Sequence, residues 1–170
     1  MPTVANYRLM ASYNRWMNCK LYDAAARLTD AQYRRDRGAF FKSIHGTLNH
    51  LLAGDSLWMG RFEEQPFDWR SFGHEMHADL PDLRRARDSM DVRILEFTER
   101  LTAEWVARPF EYAKLSGARV QVDGFCALTH FFNHQTHHRG QVTTLIMQAG
   151  VDPGDTDIVA MPGIQKAGPP

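Results

Sequence analysis

The sequence predicts an all-α fold, a four-helix bundle with long crossover connections. Two observations predict it. Four segments carry apolar residues at alternating spacings of three and four, the pattern of the buried face of a helix. Two of the joining segments are too long for the short loops of an up-and-down bundle. A chain of 170 residues fits one domain, so we expect a single bundle domain over residues 1–170.

The first predicted helix runs from Tyr7 to Leu28. Its stripe has one polar member, Asn14, and consists of Tyr7, Met10, Asn14, Met17, Leu21, Ala24 and Leu28. Thr29 and Gln32 have the spacing of a capping box, which predicts that a short second helical piece begins there.

The second long helix is expected from about Ser43 to Phe62, with Ser43 as its N-cap. Its stripe consists of Ile44, Leu48, Leu51, Leu52, Trp58, Met59 and Phe62. Asp55 falls inside this apolar arc and is a second polar exception. Residues 63–78 show no period, which predicts a connection that crosses one end of the bundle.

Asp79 and Pro81 mark the start of the third long helix. Its stripe consists of Leu80, Leu83, Met90, Ile94, Phe97 and Leu101. Residues 102–122 break the pattern. The segments 110–115 and 119–122 flank Ser116 and Gly117, and they favour a small hairpin.

The fourth helix carries the most informative residues of the chain. It is expected to begin after Asp123 and to end at Gly150, and its stripe consists of Ala127, Phe131, His134, His138, Val142, Leu145 and Ala149. His134 and His138 lie four residues apart, so their imidazoles point the same way and can share one metal ion. Buried imidazoles need partners, so the alternative is that each ring forms its own hydrogen bonds in the core.

A metal site needs at least a third ligand, and the other histidines are the candidates. They are His45, His50, His74, His77, His130 and His137. His130 lies about 80° around the helix from His138, which is wide for ligands on one straight helix. His137 lies about 100° away, at the helix margin, where it would support a ligand or face solvent. His50 lies about 120° from the middle of its helix's stripe, so periodicity alone would place it at the surface.

Composition argues against several classes of function. Lys plus Arg and Asp plus Glu each number 20, and no basic block stands out, so we expect no nucleic-acid partner. No window approaches the ~18 to 20 apolar residues that span a bilayer, and Met1 to Ala5 resembles no targeting leader, so we expect a cytoplasmic protein without a membrane partner. Cys19 and Cys126 are the only cysteines and offer no thiolate zinc site.

Three segments resemble a known family. Residues 43–58 resemble the second helix of the DinB/YfiT-like metalloenzymes, and residues 13–18 and 133–141 resemble the first and fourth helices. The resemblance extends over essentially the whole chain, including a tail at residues 155–158. It implies a four-helix bundle, often dimeric, with one divalent metal ion held by three histidines. At the matching positions of this chain these are His50, His134 and His138. The resemblance implies zinc or nickel, and imidazole ligands also suit iron.

Three neutral imidazoles would leave coordination positions open, which is typical of a catalytic site. The resemblance implies a small-molecule substrate and transfer of a low-molecular-weight thiol such as bacillithiol or mycothiol. Gln135 stands where a zincin protease has its catalytic glutamate, which argues against peptide hydrolysis. Asn14, Asp55 and Gln141 are candidates to orient a ligand or a metal-bound water, or else form ordinary interhelical hydrogen bonds. Arg139 is expected at the surface or in an interface.

The leading hypothesis is therefore a metal-dependent enzyme that activates a thiol or water against a small electrophile, as a transferase or a hydrolase. One alternative is a non-catalytic stress-response or interaction module that uses the metal for stability or sensing. Another is a metal-free helical interaction domain whose core histidines are hydrogen-bonded. The resemblance also implies a homodimer, for which Trp16, Trp69 and Trp105 are candidate contacts.

Overall fold

The computed structural model describes residues 3–65, 67–68, 73 and 75–165, and this part of the chain is mostly helical with one small hairpin. The elements are α1 (Val4–Ala25), α2 (Asp30–Arg34), α3 (Ile44–Phe62), α4 (Leu80–Arg100), α5 (Ala103–Ala107), β1 (Pro109–Ala113), β2 (Arg119–Asp123), α6 (Gly124–Gln148) and a 3-10 turn (Ile158–Ala160). The predicted helical class is confirmed, and the antiparallel pair β1–β2 is its minor β element.

The four long helices contact one another in a cycle. Helix α1 packs against α4 and α6, and α3 packs against the same two helices from the other side. Apolar side chains fill the space between them, among them the fully buried Leu21, Ile44, Leu48, Met59 and Ile94. Each such side chain contributes about 1.5–3 kcal/mol by leaving water.

Three of the predicted helix starts are confirmed by their capping bonds. Ser43 Oγ accepts a hydrogen bond from the backbone N–H of Gly46, and Asp79 Oδ1 accepts one from Asp82. Thr29 and Gln32 form a complete capping box at the start of α2. Asp123 does precede α6, but its side chain makes no capping bond.

Other boundaries differ from the predictions. Helix α1 begins three residues earlier than expected and ends at Ala25, so Leu28 lies beyond it. The five-residue helix α5 was not predicted, and it is opened by Thr102, whose side chain accepts from the backbone N–H of Trp105. The hairpin lies where it was expected, with Phe110 opposite Val122.

The expectation that Arg139 faces solvent or an interface is wrong. Arg139 is only 2% exposed, and its guanidinium donates a hydrogen bond to Asn14 Oδ1. The guanidinium carbon lies 5.2 Å from the ring centre of Tyr13. Because α6 packs against both α1 and α3, a second face of the helix is buried beside the histidine stripe. Burial lowers the pKa of Arg139 to about 10.

None of the described helices has both the length and the apolar character to cross a bilayer. Cys19 in α1 and Cys126 in α6 are both free, the first half-buried and the second exposed.

Candidate metal centre

Three histidines converge where α3 packs against α6. His50 comes from α3, and His134 and His138 come from successive turns of α6. The Nε2 atoms of His50 and His134 are 3.2 Å apart, and one ring nitrogen from each of the three residues lies within 4.8 Å of the others. These three side chains could hold a metal ion.

The distances between the ring nitrogens can be compared with those in an occupied zinc site. Two imidazole nitrogens bound to a tetrahedral zinc ion at 2.0–2.1 Å are about 3.3 Å apart. The pair His50 and His134 already has this separation, at 3.2 Å. The widest separation in the group exceeds it by at most about 1.5 Å, which small rotations of the imidazole rings can close. The donor set therefore fits a divalent ion.

The three rings lie in an environment that favours their neutral form. Burial, together with the neighbouring His138 and His50, lowers the pKa of His134 to about 3. Burial also lowers the pKa of His138, although the Gln141 hydrogen bond and the charge of Asp55 oppose this. Neutral imidazoles keep a lone pair available, which a metal ligand requires.

Phe41 and Gln141 help to hold the rings in place. Phe41 stacks on His50 with ring centres 3.8 Å apart and an interplanar angle of 17°, and its edge contacts His138. Gln141 Oε1 accepts from His138 Nδ1 at 2.8 Å, which places the proton on Nδ1 and leaves Nε2 free to bind a metal. The Gln141 amide nitrogen donates to the exposed His137.

Comparison with known proteins identifies the family of the chain. The model of the DinB family matches residues 1–167. The chain belongs to the DinB family. Among curated proteins it is similar to Protein DinB of Bacillus subtilis strain 168, at 24% identity over 150 residues, which is 85% of this chain and 87% of that protein.

Two solved structures share the fold of this DinB-family chain. A DinB-like protein from Bacillus cereus ATCC 10987 has a TM-score of 0.67 at 17% identity, covering 90% of this chain and 97% of the other. The DinB-like protein YjoA from Bacillus subtilis has a TM-score of 0.61 at 19% identity, covering 83% and 92%. At such identities the likeness shows the fold alone.

Sequence reasoning missed Phe41, which precedes α3 in an irregular turn. Lys42 adopts a positive φ of 67°, and the turn is closed by a hydrogen bond from its N–H to the carbonyl of Ala39. A Cβ on residue 46 would lie 2.2 Å from the carbonyl oxygen of Phe41, so Gly46 is needed for this close approach. Gly46 is a local sequence signal that bears on the position of Phe41.

The three other candidate residues occupy different places. Gln141 is hydrogen-bonded to His138. Asp55 is paired with Arg87 at 2.5 Å, and Asn14 donates to Asp91 at 3.2 Å, so both belong to a buried interhelical network. The structure therefore brings Gln141 into contact with the site but gives Asn14 and Asp55 interhelical partners.

This buried network was not predicted. Arg87 bridges Asp55 and Asp91, with its second contact at 2.9 Å, and Asn18 donates to Asp91 at 2.9 Å. Burial raises the pKa of Asp55, while the charge of Arg87 and the amide of Gln135 oppose the rise. The Asp55 charge in turn acts on His138, so the network contributes to the electrostatics of the candidate metal centre.

The remaining histidines lie outside the group of three. His45 is buried and contacts Tyr33 Oη at 3.2 Å and Glu75 at 3.4 Å. His130 packs against Trp58 with ring centres 4.8 Å apart. The backbone N–H of His77 donates to Asn49. His74 and Trp69 lie outside the described residues. Of the other candidate dimer contacts, Trp105 packs against Phe62 and Trp16 lies beside Tyr13.

Proposed function

We propose that this DinB-family chain is a metal-dependent enzyme, a four-helix bundle in which His50, His134 and His138 bind one divalent ion, zinc or nickel before iron. The site activates a small thiol, or water, for attack on a small electrophilic substrate, as a thiol S-transferase or a hydrolase. The observation that supports this proposal is the convergence of three imidazoles, of which His50 and His134 have their Nε2 atoms 3.2 Å apart. We further propose that the protein is cytoplasmic and forms a homodimer.

A divalent ion bound there supplies Lewis acidity, which lowers the pKa of a water or thiol that it binds. The protein contributes orientation. Gln141 fixes the tautomer of His138, and the ring of Phe41 covers one face of His50. The low pKa of His134 keeps that ring unprotonated throughout the neutral range.

Two cavities favour transfer of a thiol over hydrolysis. One, of about 510 Å³, borders His50 and His134 between α3, the hairpin and α6. The other, of about 370 Å³, borders all three histidines on the side of Phe40 and Phe41. A reaction between two organic substrates needs room on both sides of the reacting centre, whereas hydrolysis needs room for only one.

Elemental analysis of protein purified without a histidine tag tests the proposal. We expect about one equivalent of metal in the wild type and in the His137→Ala control, and none in His134→Ala. The loaded wild type should then consume thiol in the presence of an electrophile. Lack of metal even after reconstitution would overturn the proposal. Metal that raises the melting temperature without exchanging added ligands would assign the site to stability. Sedimentation at micromolar concentration tests the homodimer.

A further inference from the structure

The larger of the two cavities has the dimensions of a small-molecule site. Its volume of about 510 Å³ lies within the usual range of roughly 300–1,000 Å³ for ligand pockets. His50 and His134 border it, and Trp58 and Tyr112 line it with aromatic surface. Arg61 follows Gly54 by two turns of α3, about 10 Å, and Gly54 contacts His134. The cavity therefore extends about the length of a two-ring molecule away from the histidines.

The cavity is cationic. Arg61 and Lys114 line it, and among the described residues that border it there is no aspartate or glutamate. Arg61 also borders a neighbouring cavity, and the acidic residues Glu64, Asp68 and Glu111 belong to the lining of that neighbour. Glu111 is paired with Arg119 at 3.1 Å. The charged side chains that an anionic group meets on the described lining of the first cavity are therefore Arg61 and Lys114.

Two aromatic rings and a backbone carbonyl hold Arg61 in place. Its guanidinium lies 4.7 Å from the ring centre of Trp58 and 4.6 Å from that of Tyr112, and Nη2 donates to the carbonyl of Ala113 at 2.8 Å. Within the described residues it forms no ion pair, whereas Arg34, Arg93 and Arg119 do. Partial burial lowers its pKa, which reflects the cost of an uncompensated charge. A preorganised guanidinium with unused donors is suited to a carboxylate or phosphate.

We propose that this cavity, the Arg61 cavity, binds small acids in which a planar apolar body carries an anionic head group. The head group lies against Arg61 and Lys114, and the body lies along Trp58 and Tyr112 with its far end toward His50 and His134. In the proposed reaction these acids are the electrophile, and that role rests on the proposed function. Their binding does not, because it needs no metal.

Calorimetric titration of metal-free protein tests the inference. The probes are 2-naphthoate, 2-naphthyl phosphate and the neutral 2-naphthamide. We expect at least one anion to bind about tenfold or more tightly than the amide, since a hydrogen bond to a charged group is worth about one such factor. The anion that binds more tightly identifies the head group. Equal binding of all three probes, or no binding, would overturn the inference.

Variants test which side chains cause the preference for the anionic probes. Arg61→Met should abolish it, and Lys114→Met, at an exposed position in the hairpin turn, should reduce it about two- to threefold without affecting the fold. Arg85→Met is the matched control, since Arg85 is exposed on α4 and paired with Asp82. If Arg61→Met does not fold, an unchanged preference in Lys114→Met would still overturn the inference.

The failure of this inference can be distinguished from failure of the proposed function. His138 is a candidate ligand but does not line the Arg61 cavity. His138→Ala should therefore lose metal and keep the preference for the anion. If the protein binds metal but shows no preference for the anion, only the inference about the cavity is wrong. If it prefers the anion but binds no metal, only the proposed function is wrong.

Discussion

A methyl group at position 54 would lie 3.0 Å from Cε1 of His134. Atoms at that distance repel each other, so the imidazole would have to shift by a few tenths of an ångström. Gly54 lies inside α3, where glycine is less favourable than alanine by about 1 kcal/mol. The helix thus gives up some intrinsic stability at the point where a ring of the candidate metal centre needs room.

Gly54→Ala is therefore expected to separate stability from metal binding. The metal-free variant should be as stable as the wild type or up to about 1 kcal/mol more stable, because the helix gains propensity while one ring is crowded. Zinc affinity should fall about tenfold, because the ring leaves its binding position. Thermal melts and chelator competition measure the two quantities.

Gly140→Ala is the matched control for this experiment. Gly140 is also inside a helix, and a Cβ there meets nothing within 4 Å. It should gain the same stability and keep the wild-type zinc affinity. Equal zinc affinity in both variants and the wild type would show that His134 is not crowded by residue 54.

Gln141 should matter for metal affinity although it binds no metal itself. It accepts from Nδ1 of His138 at 2.8 Å and so orients the ring. Removing such a partner usually costs about 10- to 100-fold in affinity. We expect a loss of this size in Gln141→Ala and almost none in His137→Ala, which removes the exposed neighbour. Competition with a chromophoric chelator measures both, and similar affinities for the two variants would exclude this role.

Loss of the Arg87 side chain should lower the unfolding free energy of the protein substantially. Arg87, Asp55 and Asp91 are each at most 2% exposed, and the guanidinium is the shared partner of the two carboxylates. Arg87→Met leaves two buried acids without their cation, which should cost about 3–5 kcal/mol. Arg85→Met on the exposed side of the same helix should change stability by no more than about 0.5 kcal/mol. Urea denaturation of both variants gives the comparison, and a loss below 1 kcal/mol in Arg87→Met would contradict the expectation.

Periodicity predicted the long helices well because each has an apolar face, and capping residues such as Ser43 and Asp79 located their starts. It misplaced His50 and Arg139 for one reason. The stripe argument assigns each helix a single buried face, whereas α3 contacts α2, α4 and α6, and α6 contacts both α1 and α3. His50 is consequently only 5% exposed despite its distance from the stripe. Only the family resemblance selected it from the sequence.

Other features depend on how the helices are aligned with one another, which the sequence does not display. Asp55 and Arg87 are 32 residues apart and meet only because α3 and α4 pack in one particular register. Phe41 reaches His50 through an irregular turn that has no period. The five residues of α5 are too few to show one.

His45 should make the stability of the metal-free protein depend on pH. Burial and the charge of Arg34 lower its pKa below the usual 6.5, while Glu75 opposes the shift. Below pH 6.5 the unfolded chain therefore binds a proton that the folded chain does not. The contribution is complete above that pH and is lost as the pH falls toward the lowered value. The raised pKa of Asp55 and of Asp91 acts in the opposite direction at lower pH.

The difference between wild type and His45→Gln isolates this contribution. We expect the unfolding free energy of the wild type to fall relative to the variant between pH 7 and pH 5, with a slope of at most about 1.4 kcal/mol per pH unit for the one histidine. His137→Gln, at an exposed histidine, serves as the control and should follow the wild type. Urea titrations of metal-free protein at half-unit steps measure the slopes. Parallel curves for wild type and His45→Gln would mean that His45 becomes protonated equally easily in the folded and unfolded chains.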